Sequence, residues 1–198
     1  MARKGKYQVN PTTVKIVQAA LFTAIIFVFT MFVKVPVGIG YIHLGDAFLY
    51  LYACMGGGWY ALLAGALGEG LADLAGGCAI YAPATIIIKP LVALPFVLLS
   101  RREPKILNLK TGLTNILAAV ISTVGYFFAN WVIFAQSDAA TSFKSALVAA
   151  PGTLIQAAGS TVVFFVAAFA LDKVHMKDRM LSYTGRPAPM KANCICHS

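Results

Sequence analysis

Residues 14–33 are almost continuously apolar, and no other feature limits this chain as strongly. As a helix the run reaches across a bilayer core of about 30 Å. Of the 198 residues, 59% are hydrophobic and only 12% are charged, where a soluble domain carries about 25%. A soluble chain of this size has too little interior to hide so much apolar surface, so lipid must cover much of it. Arg3, Lys4 and Lys6 precede the run, as in a secretory signal. The run is too long for a signal h-region, however, and 34–46 offers no small-residue cleavage site, so an uncleaved first helix is expected.

Further apolar runs occupy 47–55, 59–75, 82–99, 113–135 and 149–171. Taken as one helix, 47–75 would be about 43 Å long, too much for a single comfortable crossing. Gly56, Gly57 and Gly58 interrupt it, weakening any helix and permitting a tight reversal. Charge decides between one span and two. Thirteen of the sixteen lysines and arginines fall in three clusters: Arg3, Lys4, Lys6 and Lys15; Arg101, Arg102, Lys105 and Lys110; Lys173, Lys177, Arg179, Arg186 and Lys191. Basic clusters beside spans stay in the cytoplasm. Only the two-span reading puts all three there. The expectation is an all-α integral membrane protein, a six-helix bundle with both termini cytoplasmic. Residues 1–175 form one membrane domain, and 176–198 are a polar tail expected to be disordered. External connections are expected at 34–46, 76–81 and 136–148. The net charge of +9 then reports orientation, and no nucleic-acid partner is expected.

Ionisable residues inside spans are costly and by default functional. Glu69 and Asp73 lie four apart on one helix face, and Lys89 sits at similar depth on the next helix;. This trio either neutralises itself and fixes packing or borders a polar cavity that opens outward. Asn130, Gln156, Tyr81 and Tyr126 fall in the same outer layer and favour the cavity. In 34–46, Pro36, Gly38 and Gly40 bend a segment whose valines and isoleucines need cover, which suits a lid or a re-entrant connection. His43 is expected to be a hydrogen-bonding residue of that segment rather than a metal ligand, and no metal site is expected. Asp46 is expected to cap the second helix, where a carboxylate accepts free backbone N–H groups. Ala20 and Ala24 form a small-residue step on which another helix can pack closely.

The chain has no phosphate-binding loop of the form G-x-x-x-x-G-K-[ST], no His-Glu-x-x-His and no Gly-x-Ser-x-Gly. ATP hydrolysis, zinc proteolysis and serine hydrolysis therefore lack their groups, and no enzyme is expected. Cys194, Cys196 and His197 offer too few ligands for a metal site.

The segments Gly40-Tyr41-Ile42-His43-Leu44-Gly45-Asp46-Ala47, Glu69-Gly70-Leu71-Ala72-Asp73 and Tyr81-Ala82-Pro83-Ala84-Thr85, with Lys89-Pro90 beyond, give the chain a family likeness. Together they resemble the substrate-binding S components of energy-coupling factor (ECF) vitamin transporters. The likeness covers nearly all of 12–175 and is nearest the branch for riboflavin, hydroxymethylpyrimidine and pyridoxine. It implies six helices, a substrate-covering loop after the first, and a docking surface for a partner at Ala20 and Ala24. The partners implied are a transmembrane coupling subunit and two cytoplasmic ATPases in a bacterial plasma membrane, with ATP used by those ATPases and no cofactor in this chain. The implied ligand is a water-soluble vitamin taken from outside, with a pyridoxine- or hydroxymethylpyrimidine-like solute ahead of riboflavin. Lys89, Asn130 and Gln156 are expected to bond it, Asp73 and Glu69 to set the charge of Lys89, and Tyr41 and His43 to close over it. The competing class is a stand-alone proton-coupled transporter in which Glu69 or Asp73 carries the proton.

Overall fold

A computed structural model describes residues 10–37, 40–133, 135 and 139–184. Helix α1 (Pro11–Met31) starts where Asn10 Oδ1 accepts the Thr12 N–H at 2.9 Å, with Pro11 fixing φ in the first turn;. Strands β1 (Lys34–Val37) and β2 (Gly40–His43) follow as an antiparallel hairpin that sets Lys34 opposite His43. The bent segment after α1 thus forms backbone bonds of its own. Helix α2 (Gly45–Tyr52) runs into a π-helical turn, Ala53–Gly57, and α3 (Trp59–Ala75) leads back. Gly56 stands at φ +104°, a left-handed backbone that a side chain would resist;. The glycine triplet therefore divides 47–75 into two helices.

Helix α4 (Ala82–Pro95) also ends in a π-helical turn, Phe96–Ser100, and α5 (Leu109–Ile133), α6 (Ala139–Lys173) and α7 (Met176–Tyr183) complete the chain. Two expectations are corrected here. The external connection at 136–148 is helical from Ala139 onward, because α6 continues through Pro151 instead of starting after it. The chain is also ordered beyond residue 175. Leu181 packs at 6% exposure, and Lys177, at 2%, donates to the Ser100 carbonyl at 3.2 Å, which is enough to hold α7 as a helix.

Neighbouring helices touch in a ring, α1 to α3, α3 to α4, α4 to α5 and α5 to α6, which α2 closes between α6 and α1. Nearly every residue of α2 is buried, as suits a helix apolar on all sides. Behind it, Tyr50 stacks on Phe96 with centroids 4.7 Å apart, and Phe164 meets both rings at 6.0 Å. Leucines, isoleucines and phenylalanines face outward on every long helix. Among the described residues, Pro11–Met31, Ala82–Ser100, Leu109–Ile133 and Thr141–Lys173 are long and apolar enough to cross a membrane. The molecule is an all-α membrane protein apart from its hairpin.

Candidate functional site

The hairpin and helices α3 to α6 enclose a cavity of about 570 Å³. Its wall carries His43 from β2, Glu69 and Asp73 from α3, Tyr81 and Thr85 from the start of α4, Ser122, Tyr126 and Asn130 from α5, and Gln156 from α6. Seven of the nine ligand-contacting residues expected from sequence therefore meet at one void: Asn130, Gln156, Asp73, Glu69, His43, Tyr81 and Tyr126. The side chain of Tyr41 lies outside the described residues. Lys89 does not line the void but supports it from beneath.

The floor is a charge cluster. Lys89, with no exposed surface, lies 2.7 Å from Asp46 Oδ1 and 2.8 Å from Glu69 Oε2, with the Tyr126 ring 5.5 Å away. One ammonium thus serves two carboxylates. Asp46 is not the helix cap the sequence suggests. Leu44 holds that position without a side-chain bond, and the Asp46 carboxylate turns inward to Lys89. The amide of Gln156 donates to Asp46 Oδ2 at 3.0 Å and its nitrogen lies 2.7 Å from His43 Nε2. Four elements are tied together through one ammonium and one amide. Of the two partners considered for Lys89, Glu69 takes the role. Asp73 instead accepts from Thr85 Oγ1 at 2.5 Å, and Thr85 meets the Tyr126 hydroxyl at 3.0 Å. Tyr81 donates to Asn130 Oδ1 at 2.9 Å, so α4 and α5 are joined at the cavity wall.

His43 is 6% exposed, and burial, reinforced by the Lys89 ammonium, pushes its pKa down to about 3. The ring is therefore neutral at physiological pH. Ligating atoms of His43, Asp46 and Glu69 lie within 4.8 Å of one another, the spacing a metal ion needs. The place of the cation there is taken by Lys89, within ion-pair distance of both carboxylates.

Thr85, Ser122 and Lys34 also line the cavity and were not singled out in the sequence. Thr85 and Ser122 each stand one helical turn before a residue that was, Lys89 and Tyr126, and that spacing was the available signal. Ala20 and Ala24 lie on the exposed side of α1, away from the cavity.

Apolar helices around a charge-floored cavity of small-molecule size define a membrane-embedded solute-handling protein rather than a membrane anchor. The family model for the ECF-type riboflavin transporter, S component, matches residues 10–173, and the chain belongs to that family. It is thus a vitamin-type substrate-binding component that works with an ECF transporter module, in a family of transporter components rather than enzymes. No curated protein and no solved structure matches the chain.

Proposed function

We propose that this chain is the substrate-capturing subunit of an ECF importer in a bacterial plasma membrane, taking a heteroaromatic vitamin or its precursor from the external side. The observation that carries this reading is the cavity itself, in which amide, phenol, hydroxyl and carboxylate groups from five elements converge on one void. A few convergent polar groups in a largely apolar pocket are what a small-molecule site requires.

Orientation follows from which groups share an end. The Lys34 ammonium donates to the Gly76 carbonyl at 3.3 Å, so the last turns of α1 and α3 are at the cavity end. The loop after Ser100 and helix α7 meet at the opposite end, where Asp172 accepts the Ile106 and Leu107 N–H groups. The basic clusters of the 101–110 loop and of α7 therefore share the end remote from the cavity, as does the start of α1. Basic flanks face the cytoplasm, which sets the cavity outward and both termini inward. In this reading α2 and α3 cross as short spans, giving six, and the hairpin covers the mouth. The exposed step at Ala20 and Ala24 receives the transmembrane coupling subunit, and two partner ATPases use the ATP. This chain carries no cofactor of its own.

The residue pattern alone ranks pyridoxine- and hydroxymethylpyrimidine-like solutes first. A void of about 570 Å³ lies well inside the range for drug-sized ligands and would leave a single six-membered ring loosely held. That volume and the riboflavin in the family's name move riboflavin ahead. Native mass spectrometry of the purified protein should show a vitamin co-purifying, and titration should give saturable binding that weakens roughly tenfold in Asn130→Ala or Gln156→Ala, as losing one hydrogen bond of about 1.4 kcal/mol predicts. Absence of any bound vitamin, with no saturable binding of riboflavin, pyridoxine or hydroxymethylpyrimidine, overturns the proposal. Uptake by the chain alone in proteoliposomes, driven by a pH gradient, would favour proton coupling through Glu69 or Asp73 instead. The bonds from Lys89 to Glu69 and from Thr85 to Asp73 weigh against it.

A further inference from the structure

The charges along the cavity are unevenly available to a solute. Glu69 and Asp73 both border the void. The cation closest to them, Lys89, is held by Asp46 and Glu69 and does not reach the wall. Lys34 does line the void, but its ammonium is engaged with the Gly76 carbonyl. The first turn of α4 would ordinarily welcome an anion through its free N–H groups. Here Asp73 already faces that turn, through its bond from Thr85. No arginine lines the cavity among the described residues.

We infer that the cavity selects the uncharged form of its vitamin against the phosphate monoester, with Asp73 and Glu69 setting that selectivity. The inference rests on the vitamin-binding reading above and names the chemical class that site accepts. A phosphate monoester carries about −1.5 to −2 charge at pH 7. Placed in a void with two carboxylates and no free cation, it meets like charge in surroundings far less polarisable than water. A neutral ring with N–H and hydroxyl donors instead finds acceptors in Asp73, Glu69 and Asn130. The site would thereby take the free vitamin and leave its phosphorylated cofactor form.

The test titrates the purified chain with riboflavin and riboflavin 5′-phosphate, and with pyridoxine and pyridoxine 5′-phosphate. A neutral acetate ester at the same hydroxyl controls for bulk. The phosphate should bind at least about 100-fold more weakly than the parent, and the acetate within about tenfold of it. Asp73→Asn retains an acceptor for Thr85 and should narrow the phosphate gap about tenfold while moving parent affinity far less. If parent and phosphate bind alike, or if the acetate is excluded as strongly as the phosphate, the inference fails and the vitamin reading stands. If neither parent nor phosphate of either pair binds, both fall together.

Discussion

The two ends of the bundle both bury charged groups, and they handle them differently. At the α7 end each charge is absorbed by the backbone: Asp172 takes two N–H groups at 2.9 Å, and Lys177 gives to a carbonyl. Packed rings fill the space between, with Tyr50, Phe96 and Phe164 in mutual contact. At the cavity end the charges pair with one another, the pairing is two carboxylates to one ammonium, and Glu69 Oε1 has no hydrogen-bond partner. A void lies beside them rather than packed side chains. Charges satisfied by fixed backbone groups hold a fold in place. Charges left in partial balance next to a cavity are available to something that enters.

If that division is correct, breaking the floor should cost stability and binding together. Lys89→Met leaves Asp46 and Glu69 buried without their cation, for which a loss of about 3–5 kcal/mol is expected. Thermal unfolding of the purified protein, with ligand titration of whatever remains folded, measures both. A stability change below about 1 kcal/mol would show that the cluster is hydrated rather than closed. The mirror experiment at the α7 end is Asp172→Ala, which removes the acceptor of Ile106 and Leu107. Hydrogen bonds to a charged group contribute about 1.5–3 kcal/mol, so a loss in that range should appear in unfolding while vitamin affinity stays within about twofold. An equal drop in affinity would mean that the ends are coupled, and the contrast between them would dissolve.

The sequence exposed these two ends unequally. The helices were legible because each long apolar run is itself the signal, and the split at Gly56–Gly58 because three glycines cannot sit quietly inside a helix. Gathering Glu69, Lys89, Asn130 and Gln156 into one layer needed only depth counted from the ends of the runs. Asp46 was misjudged because a carboxylate near a helix start has a local use. Its actual partner, Lys89, is 43 residues away across the bundle. No periodicity shows that α2 lies buried in the ring, which is what turns this carboxylate inward. The start of α6 was missed for a related reason. Pro151 reads as a helix boundary, yet the alanine-rich residues before it continue the helix.

A smaller effect is expected where the floor is packed rather than charged. A methyl group on Gly45 would stand 2.0 Å from Thr30 Oγ1 and 3.4 Å from Glu69 Oε1. Thr30 is buried at 1% exposure and cannot swing away. Gly45→Ala should therefore push α2 off α1 at a cost of about 1–3 kcal/mol, and shift Asp46 relative to Lys89. Pairing it with Thr30→Ala, which removes the clashing hydroxyl, should recover most of the loss. No recovery in the double variant would place the strain elsewhere.

The smallest effect tests whether His43 belongs with the buried floor or with a solvated hairpin. Its pKa in the folded chain is about 3 against 6.5 in the unfolded one. The unfolded state therefore takes up a proton first as pH falls. The stability tied to the neutral ring is fully present above pH 6.5 and declines below it, until the folded ring also protonates near pH 3. At pH 5.5, one unit below the unfolded value, the expected loss is about 1.4 kcal/mol. Carboxylates of the unfolded chain are still ionised there, so they add little to the slope. Unfolding midpoints at pH 7.5, 6.5 and 5.5 should fall for the wild type and stay level for His43→Gln, which keeps a polar side chain but cannot titrate. A flat wild-type profile, or the same slope in the variant, would return His43 to the solvent and leave the cavity floor to α2, α3, α4 and α6 alone.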